Sequence, residues 1–292
     1  RTLNRHKLGT LFYILCISSI HQSEAITLER EQNWLILHDE RVPTGKIRIN
    51  YLEAYCRPNS TNADWHDTTI GHKTELTNIS ENKKNMQLSC TLSDGVIIKH
   101  DIRSSEDEVT FEIKAHNPTA LISQAHWAQP CIRIGEFTGF PHRGKELNDY
   151  LPKCFIFING KLERMNEIKP WAMKARYTPG QVWCPTDVPR KDVNPRPLSS
   201  LIPSNGLIGC FSKDEELIFA VAFDPYQELF QGVARCLHSD FRIGGLKPSE
   251  SKSIKGKIYI LENKPKKLLA RYKKISQNNR KEAFPPHPKV IE

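Results

Sequence analysis

The sequence predicts an all-β fold: a large antiparallel two-layer β-sandwich with one short C-terminal helix. Three observations lead there. Turn pairs of the hairpin type sit between apolar runs of strand length. Alternation with a period of two recurs along the chain. A helical period is convincing in one segment, near the end.

Strands are expected at 46–52, 86–92, 96–103 and 108–115. Ser93-Asp94-Gly95 separates the second from the third, and a glycine after an aspartate supplies the positive φ of a tight hairpin. Within 108–115, Val109, Phe111, Ile113 and Ala115 share one face, with charged neighbours on the other. A further strand is expected at 130–136. Lys153–Ile158 and Lys161–Met165 flank Asn159-Gly160, a strong type I′ signal. Residues 206–212 and 217–224 flank the charged turn Lys213–Glu216, and 231–238 and 256–262 complete ten or more strands. The helix is expected over Lys266–Ser276. There Leu268, Leu269, Tyr272 and Ile275 follow the helical period, and Pro265 stands where the first turn tolerates it.

Many short antiparallel strands with little helix mean a sandwich or barrel. At 292 residues a large two-sheet sandwich fits better than a small immunoglobulin-like module. No internal repeat and no low-complexity linker divides the chain. One domain is therefore expected over 26–263, followed by a basic helix and tail over 264–292.

The first 25 residues read as a signal peptide. Arg1, Arg5 and Lys7 precede an apolar run from Leu8 to Ile20, and Ser23-Glu24-Ala25 offers a small-x-small cleavage site. The run is too short to be a membrane span. A secreted or periplasmic protein starting near Ile26 is expected, with no stable membrane span after cleavage.

The net charge of +9 is unevenly placed. Residues 252–292 hold twelve Lys and Arg against three Glu, and residues 1–25 carry +2, so residues 26–251 are close to −2. The basic character belongs to the tail, which reads as a solvated helix face. An exported chain with a slightly acidic body is a poor nucleic-acid partner. Seven cysteines lie beyond residue 25, and the odd number leaves at least one unpaired within the chain. No C-x-x-C, G-x-S-x-G, phosphate loop or H-E-x-x-H is present, so no cofactor and no metal ligand set is expected.

Four segments are rich in polar and aromatic residues: 64–75, 126–133, 179–206 and 226–242. The third holds six prolines and no strand or helix pattern. A loop of that length in a compact domain is usually functional or disordered, and Trp183, Ile202 and Leu207 argue against disorder because they give it something to bury. It is expected to fold back over the sheet carrying His126–Arg133, so that Arg190 or Arg196 and Trp127 border one pocket. Trp127 and Trp183 offer faces on which a pyranose could stack, and Gln129, Arg133, Arg190, Asn194, Arg196 and His72 offer polar contacts. For acid–base work the candidates are His126 and His238, with Glu228 or Asp240 as carboxylate partner. Burial would raise those carboxyl pKa values toward neutrality.

The segments Trp65 to Glu75, Asn117-Pro118-Thr119, His126 to Arg133, Val193-Asn194-Pro195-Arg196-Pro197 and Gly232 to Gly245 resemble an uncharacterised secreted bacterial protein family. The likeness covers nearly all of the chain after residue 25. That family has no established activity, so it implies no catalytic residues. More weakly, the order of elements is similar to that of the galactose-mutarotase-like supersandwich. The Asp94-Gly95 hairpin, the strand ending at Asn117-Pro118, a histidine soon after it and Lys247-Pro248-Ser249-Glu250 before the closing strand carry the similarity. It implies a carbohydrate-active protein. Mutarotases use a His as general acid and a late Glu as general base; His126 and Glu228 stand nearest those places, but the flanking mutarotase motifs are absent. The expected function is thus an exported carbohydrate- or glycan-binding protein, extending to epimerase, lyase or hydrolase chemistry. The alternative is a non-catalytic binding or envelope-structural domain.

Overall fold

A computed structural model describes residues 25–140, 149–169 and 176–273. The expected signal peptide therefore lies outside the described residues, except for Ala25, and so does the tail beyond 273. In chain order the strands are β1 (Thr27–Glu31), β2 (Trp34–His38), β3 (Lys46–Cys56), β4 (Thr69–Ile70), β5 (His72–Ile79), β6 (Asn85–Leu92), β7 (Ile97–Ser104), β8 (Glu108–His116), β9 (Trp127–Arg133), β10 (Cys154–Ile158), β11 (Lys161–Arg164), β12 (Val182–Trp183), β13 (Ile208–Phe211), β14 (Leu217–Asp224), β15 (Tyr226–Gly232), β16 (Cys236–Arg242) and β17 (Ser251–Glu262). The first sheet runs β1-β2-β3-β9-β16-β15-β12, with β4 paired to β3. The second runs β11-β10-β13-β14-β17-β8-β7-β6-β5. Among the described residues the named strands pair antiparallel, with one isolated parallel bridge from Val182 to Leu198, and the two sheets form a sandwich.

Both hairpin signals do what their turn residues dictate. Asp94-Gly95 closes β6 onto β7, with Gly95 at φ +90°. Asn159-Gly160 closes β10 onto β11, with φ +50° and +75° at the two residues. On β8 the expected alternation holds: Val109, Phe111, Ile113 and Ala115 are buried, whereas Glu112 and Lys114 are exposed. Their face meets the inner face of the first sheet in one large core. Phe223 of β14 touches both Phe111 of its own sheet and Phe241 of the first, at 5.5 and 5.3 Å between ring centroids.

Several elements differ from expectation. The segment 231–238 is not one strand. Gly232 ends β15, Cys236 begins β16, and the turn between them sets Arg235 at φ +51°. Strands β1 and β5 carry too many polar residues to announce themselves, and the apolar run Trp34–His38, which forms β2, is not among the expected strands. The C-terminal helix α2 spans 265–273 and is not simply a solvated face. Leu268 is buried beside Phe155, Phe157, Ile218 and Tyr259 on the outer side of the second sheet, and Arg271 pairs with Asp107 and Glu108. No described helix is long and apolar enough to cross a membrane. All seven described cysteines are buried with free thiols.

The outer face of the first sheet positions the site. Strands β9, β15 and β16 are buried on both faces, because residues 176–206 lie across their outer side. That segment adds β12 to the sheet edge through Val182–Phe230 and Trp183–Leu229. Val182, Cys184, Val188 and Val193 then bury Phe230. The expectation that the proline-rich loop folds back over this sheet thus agrees with its placement, for a simple reason: its apolar side chains and backbone groups find partners there.

Candidate functional site

Alternation along β16 sends Leu237 and Phe241 into the core and Cys236, His238 and Asp240 to the outer face. On β9 the outer face carries Trp127, Gln129, Cys131 and Arg133. The pairing of Cys236 with Arg133 and of Phe241 with Ala128 sets Cys131 across from His238 in the same register. Gln129, Cys131, Arg133, Cys236 and His238 form the floor of an open cavity of about 230 Å³, together with Glu53 of β3. Trp65, Tyr177, Phe230 and Val233 stand around it. Trp65 belongs to the short helix α1 (Trp65–Thr68), which Asp64 caps by accepting the Asp67 N–H at 2.9 Å. Its ring meets Tyr177 at 5.6 Å between centroids.

The floor is polar and nearly dry. His238 is 2% exposed and stacks on Phe230 at 4.2 Å. Its Nε2 lies 3.3 Å from Cys236 Sγ, and its Nδ1 lies 3.4 Å from Asp240 Oδ1. Gln129 Nε2 donates to Glu53 Oε2 at 3.3 Å, and Arg133 Nη1 donates to the Ala234 carbonyl at 3.3 Å. Glu228 and Asp240 are fully buried beneath this layer. Gly232 completes the floor: a Cβ there would run into Cys236 Sγ and meet His238 Nε2 at 3.1 Å.

The electrostatics follow from burial and from close neighbours. Burial raises the Glu228 carboxyl well above the usual range, and Asp240 beside it adds to the effect. Burial also raises Asp240, against the pull of His238. A hydrogen bond with Cys131 holds the Cys236 thiol well below its ordinary value, and His238 helps. Burial opposes charge on His238, but Cys236 and Asp240 outweigh it and push the imidazole up to about 10. The arrangement is a thiol–imidazole–carboxyl row along one strand face.

Of the expected site residues, the cavity brings together Gln129, Arg133 and His238, with Asp240 and Glu228 behind. His126 stands elsewhere on this face, in a second polar cluster. Its Nδ1 is 3.4 Å from Arg242 Nη2 and 3.7 Å from Asp192 Oδ2, and burial lowers its pKa. Asp192 pins the covering segment there. It accepts from the Asn59 N–H at 2.8 Å and from Arg242 Nη2 at 2.9 Å, and its carbonyl accepts from Ser60 and Gln227.

Other expectations need correction. Trp127 is 0% exposed, enclosed with Ala54, Cys56 and Trp65, so it has no face for a sugar and does not line the cavity. Trp183 is equally buried, paired with Leu229 in the main core. His72 lies on the edge strand of the other sheet, against Tyr55 at 5.0 Å. Asn194 is buried and spends its amide on Ser60 O, Ala63 O and Thr68 Oγ1, which ties the covering segment to residues 60–68. Arg190 donates to the Ser199 carbonyl at 2.6 Å within its own loop. Arg196 is bridged to Arg176 and does not line the cavity. Arg190 and Asn194 are spent on backbone carbonyls that a long segment without regular structure must satisfy, whereas Trp127 and Trp183 fill apolar cores.

Sequence reasoning missed Glu53, Trp65, Tyr177 and above all Cys131 and Cys236. A signal existed: Cys236-x-His238-x-Asp240 puts three chemically active groups on one face of any strand. The donor atoms of Cys131, Cys236 and His238 lie within 4.8 Å of one another, a geometry able to hold a metal ion although no metal ligand set was expected.

No family model and no curated protein matches the chain. Among solved structures, the chain is similar to the Slr1438 protein from Synechocystis sp. PCC 6803, at 11% identity and a TM-score of 0.41, over 82% of this chain and 96% of that one. It is also similar to a protein described as a candidate aldose 1-epimerase from Escherichia coli K12, at 10% identity and a TM-score of 0.42, over 81% of this chain and 99% of that one. Likeness at this level leaves what the chain binds to be argued from the cavity itself.

Proposed function

We propose that this protein acts after export and binds a single sugar unit, or the end of a glycan, in the cavity above Gln129, Arg133 and His238. The observation that supports it is an aromatic pair, Trp65 and Tyr177, beside a polar floor in one open cavity of about 230 Å³. Aromatic faces take the apolar side of a pyranose. The planar donors of Arg133 and Gln129 and the carboxylate of Glu53 suit hydroxyls. Pockets for drug-sized ligands run to roughly 300–1,000 Å³. This one is smaller, in keeping with one ring. The reading is one of binding. Acid–base turnover by His126 and His238 together is set aside: the imidazoles stand in different clusters, and both nitrogens of His238 face protein groups.

The test is a panel of neutral and acidic monosaccharides and short glycans, screened by ligand-observed NMR and then by calorimetry. Trp65→Ala should weaken binding by roughly 1–3 kcal/mol through lost aromatic burial. His126→Ala should leave affinity unchanged. A wild-type protein that binds no member of the panel would remove the carbohydrate reading. Cleavage near Ile26 is checked separately, by N-terminal sequencing of the exported protein.

A further inference from the structure

We propose that Cys131, Cys236 and His238 form a binding site for a thiophilic divalent cation of zinc type, set in the cavity floor. The inference is independent of whether a sugar binds above it.

The donor set comes first. Two sulfurs and one imidazole nitrogen, all within 4.8 Å of one another, are the three protein ligands of a tetrahedral centre with one position left open. The edge from Cys236 Sγ to His238 Nε2 is 3.3 Å. Bond lengths of about 2.3 Å to sulfur and about 2.0 Å to nitrogen at a tetrahedral angle give an edge of about 3.5 Å. The two agree within a small side-chain movement. All three ligands line the cavity, so the open position faces solvent or a bound molecule.

The surroundings of His238 point the same way. A metal-bound histidine commonly directs its other ring nitrogen at a carboxylate, which fixes the tautomer. Here Nδ1 faces Asp240 Oδ1 at 3.4 Å, in a place where both residues are buried and neither has a well-formed hydrogen bond there. Such polar atoms need a reason to be buried. A cation on Nε2 supplies one, because it draws a proton onto Nδ1 and strengthens the bond to Asp240. Gly232 keeps the space over Cys236 Sγ and His238 Nε2 free of a side chain.

A disulfide is the competing use of the two thiols. The strand register opposes it. Cys131 lies across from His238 and Cys236 across from Arg133, so the cysteines are diagonal neighbours. Diagonal positions are about 7–8 Å apart, whereas disulfides span about 4.4–6.8 Å between Cα atoms. A disulfide also leaves the direction of the His238 ring without a role. In the proposed step both sulfurs bind as thiolates and His238 binds neutral through Nε2. The Cys131 thiol loses one proton; whether the second starts on Cys236 Sγ or on His238 Nε2, the bond to that proton breaks as the metal bond forms. Two protons leave for one divalent cation, and the centre is neutral overall.

The experiment uses the full exported chain, reduced and then freed of reductant, with cobalt(II) and zinc(II) alone as probes. One cobalt per chain should bind, with a sulfur-to-cobalt charge-transfer band in the near ultraviolet and intense visible bands of tetrahedral type. Zinc should displace it. Cys131→Ser and Cys236→Ser should each abolish the charge-transfer signature of a two-thiolate site. Asp240→Asn should weaken zinc by about 10–100-fold. Cys184→Ala, in the loop cluster, should change nothing. The wild-type spectrum decides even where a variant fails to fold. Absence of stoichiometric binding, a spectrum without sulfur character, wild-type affinity in either serine variant, or a Cys131–Cys236 disulfide in protein isolated without reductant would each overturn the proposal.

Discussion

Glu228→Gln should stabilise the protein by an amount that grows with pH. The Glu228 carboxyl is fully buried, and neither oxygen has a well-placed donor. Burial and the neighbouring Asp240 raise its pKa well above the ordinary 4.5. The folded chain therefore keeps a proton that the unfolded chain has already lost. Below pH 4.5 both states are protonated and the site costs nothing through ionisation. Above it, unfolding gains about 1.4 kcal/mol for each pH unit until the folded carboxyl itself titrates. Glutamine has the same shape and does not ionise, so the variant lacks this penalty. Asp240 is present in both proteins and cancels to first order. Urea unfolding at intervals from pH 4 to pH 8 measures the difference directly. The two stability curves should be closest near pH 4 and then diverge with a slope near one proton. Parallel curves, or a variant less stable throughout, would mean that Glu228 is ionised in the folded chain and that the buried-acid account is wrong.

Two further outcomes separate structural from binding residues. Asp192→Ala removes the charge partner of Arg242, whose side chain is 13% exposed and keeps the neutral Gln227 Oε1 as acceptor, and should cost roughly 3–5 kcal/mol in chemical denaturation. A loss below about 1 kcal/mol would show that the covering segment is held by its apolar contacts alone. Trp127→Ala should cost roughly 3–5 kcal/mol by opening a cavity in the core, unlike Trp65→Ala at the cavity rim, and thermal unfolding of the two variants side by side reads the contrast.

The parts of the fold legible in the sequence were those fixed by local chemistry. Asn159-Gly160 and Asp94-Gly95 set turns through backbone sterics that no distant residue alters. Alternation in 108–115 announced a strand because one face meets the core and the other meets water. Legibility failed where a third layer intervenes. Strand β16 is buried on both sides, so Cys236, His238 and Asp240 lost the water-facing signature that polar residues usually give a strand. Trp127 and Trp183 failed as sugar platforms for the same reason. An aromatic residue in a polar stretch signals a ligand only if its face is open, and exposure depends on what packs over it.

The location of the candidate site follows from that third layer. A sheet face bearing Gln129, Cys131, Arg133, His238 and Asp240 would, if uncovered, be an ordinary wet surface with weak interactions among its charges. Residues 176–206 cover one part of it through Val182, Val188, Val193 and the Asp192 anchor, and α1 covers another. The gap between the two covers is the cavity, walled by Trp65 of α1 and Tyr177 at the start of the covering segment. Lowered solvent access strengthens each remaining electrostatic contact. It is the cause of the raised carboxyls and a condition for the Cys236–His238 pairing. Chemistry and cover are therefore coupled. Loss of the Asp192 anchor should return Glu228 and Asp240 toward ordinary acidity even though neither touches Asp192, and the pH-dependent slope that Glu228 contributes should shrink in the Asp192→Ala background. If the slope is unchanged there, the acids are dried by the strands alone and the covering segment plays no part in setting the site.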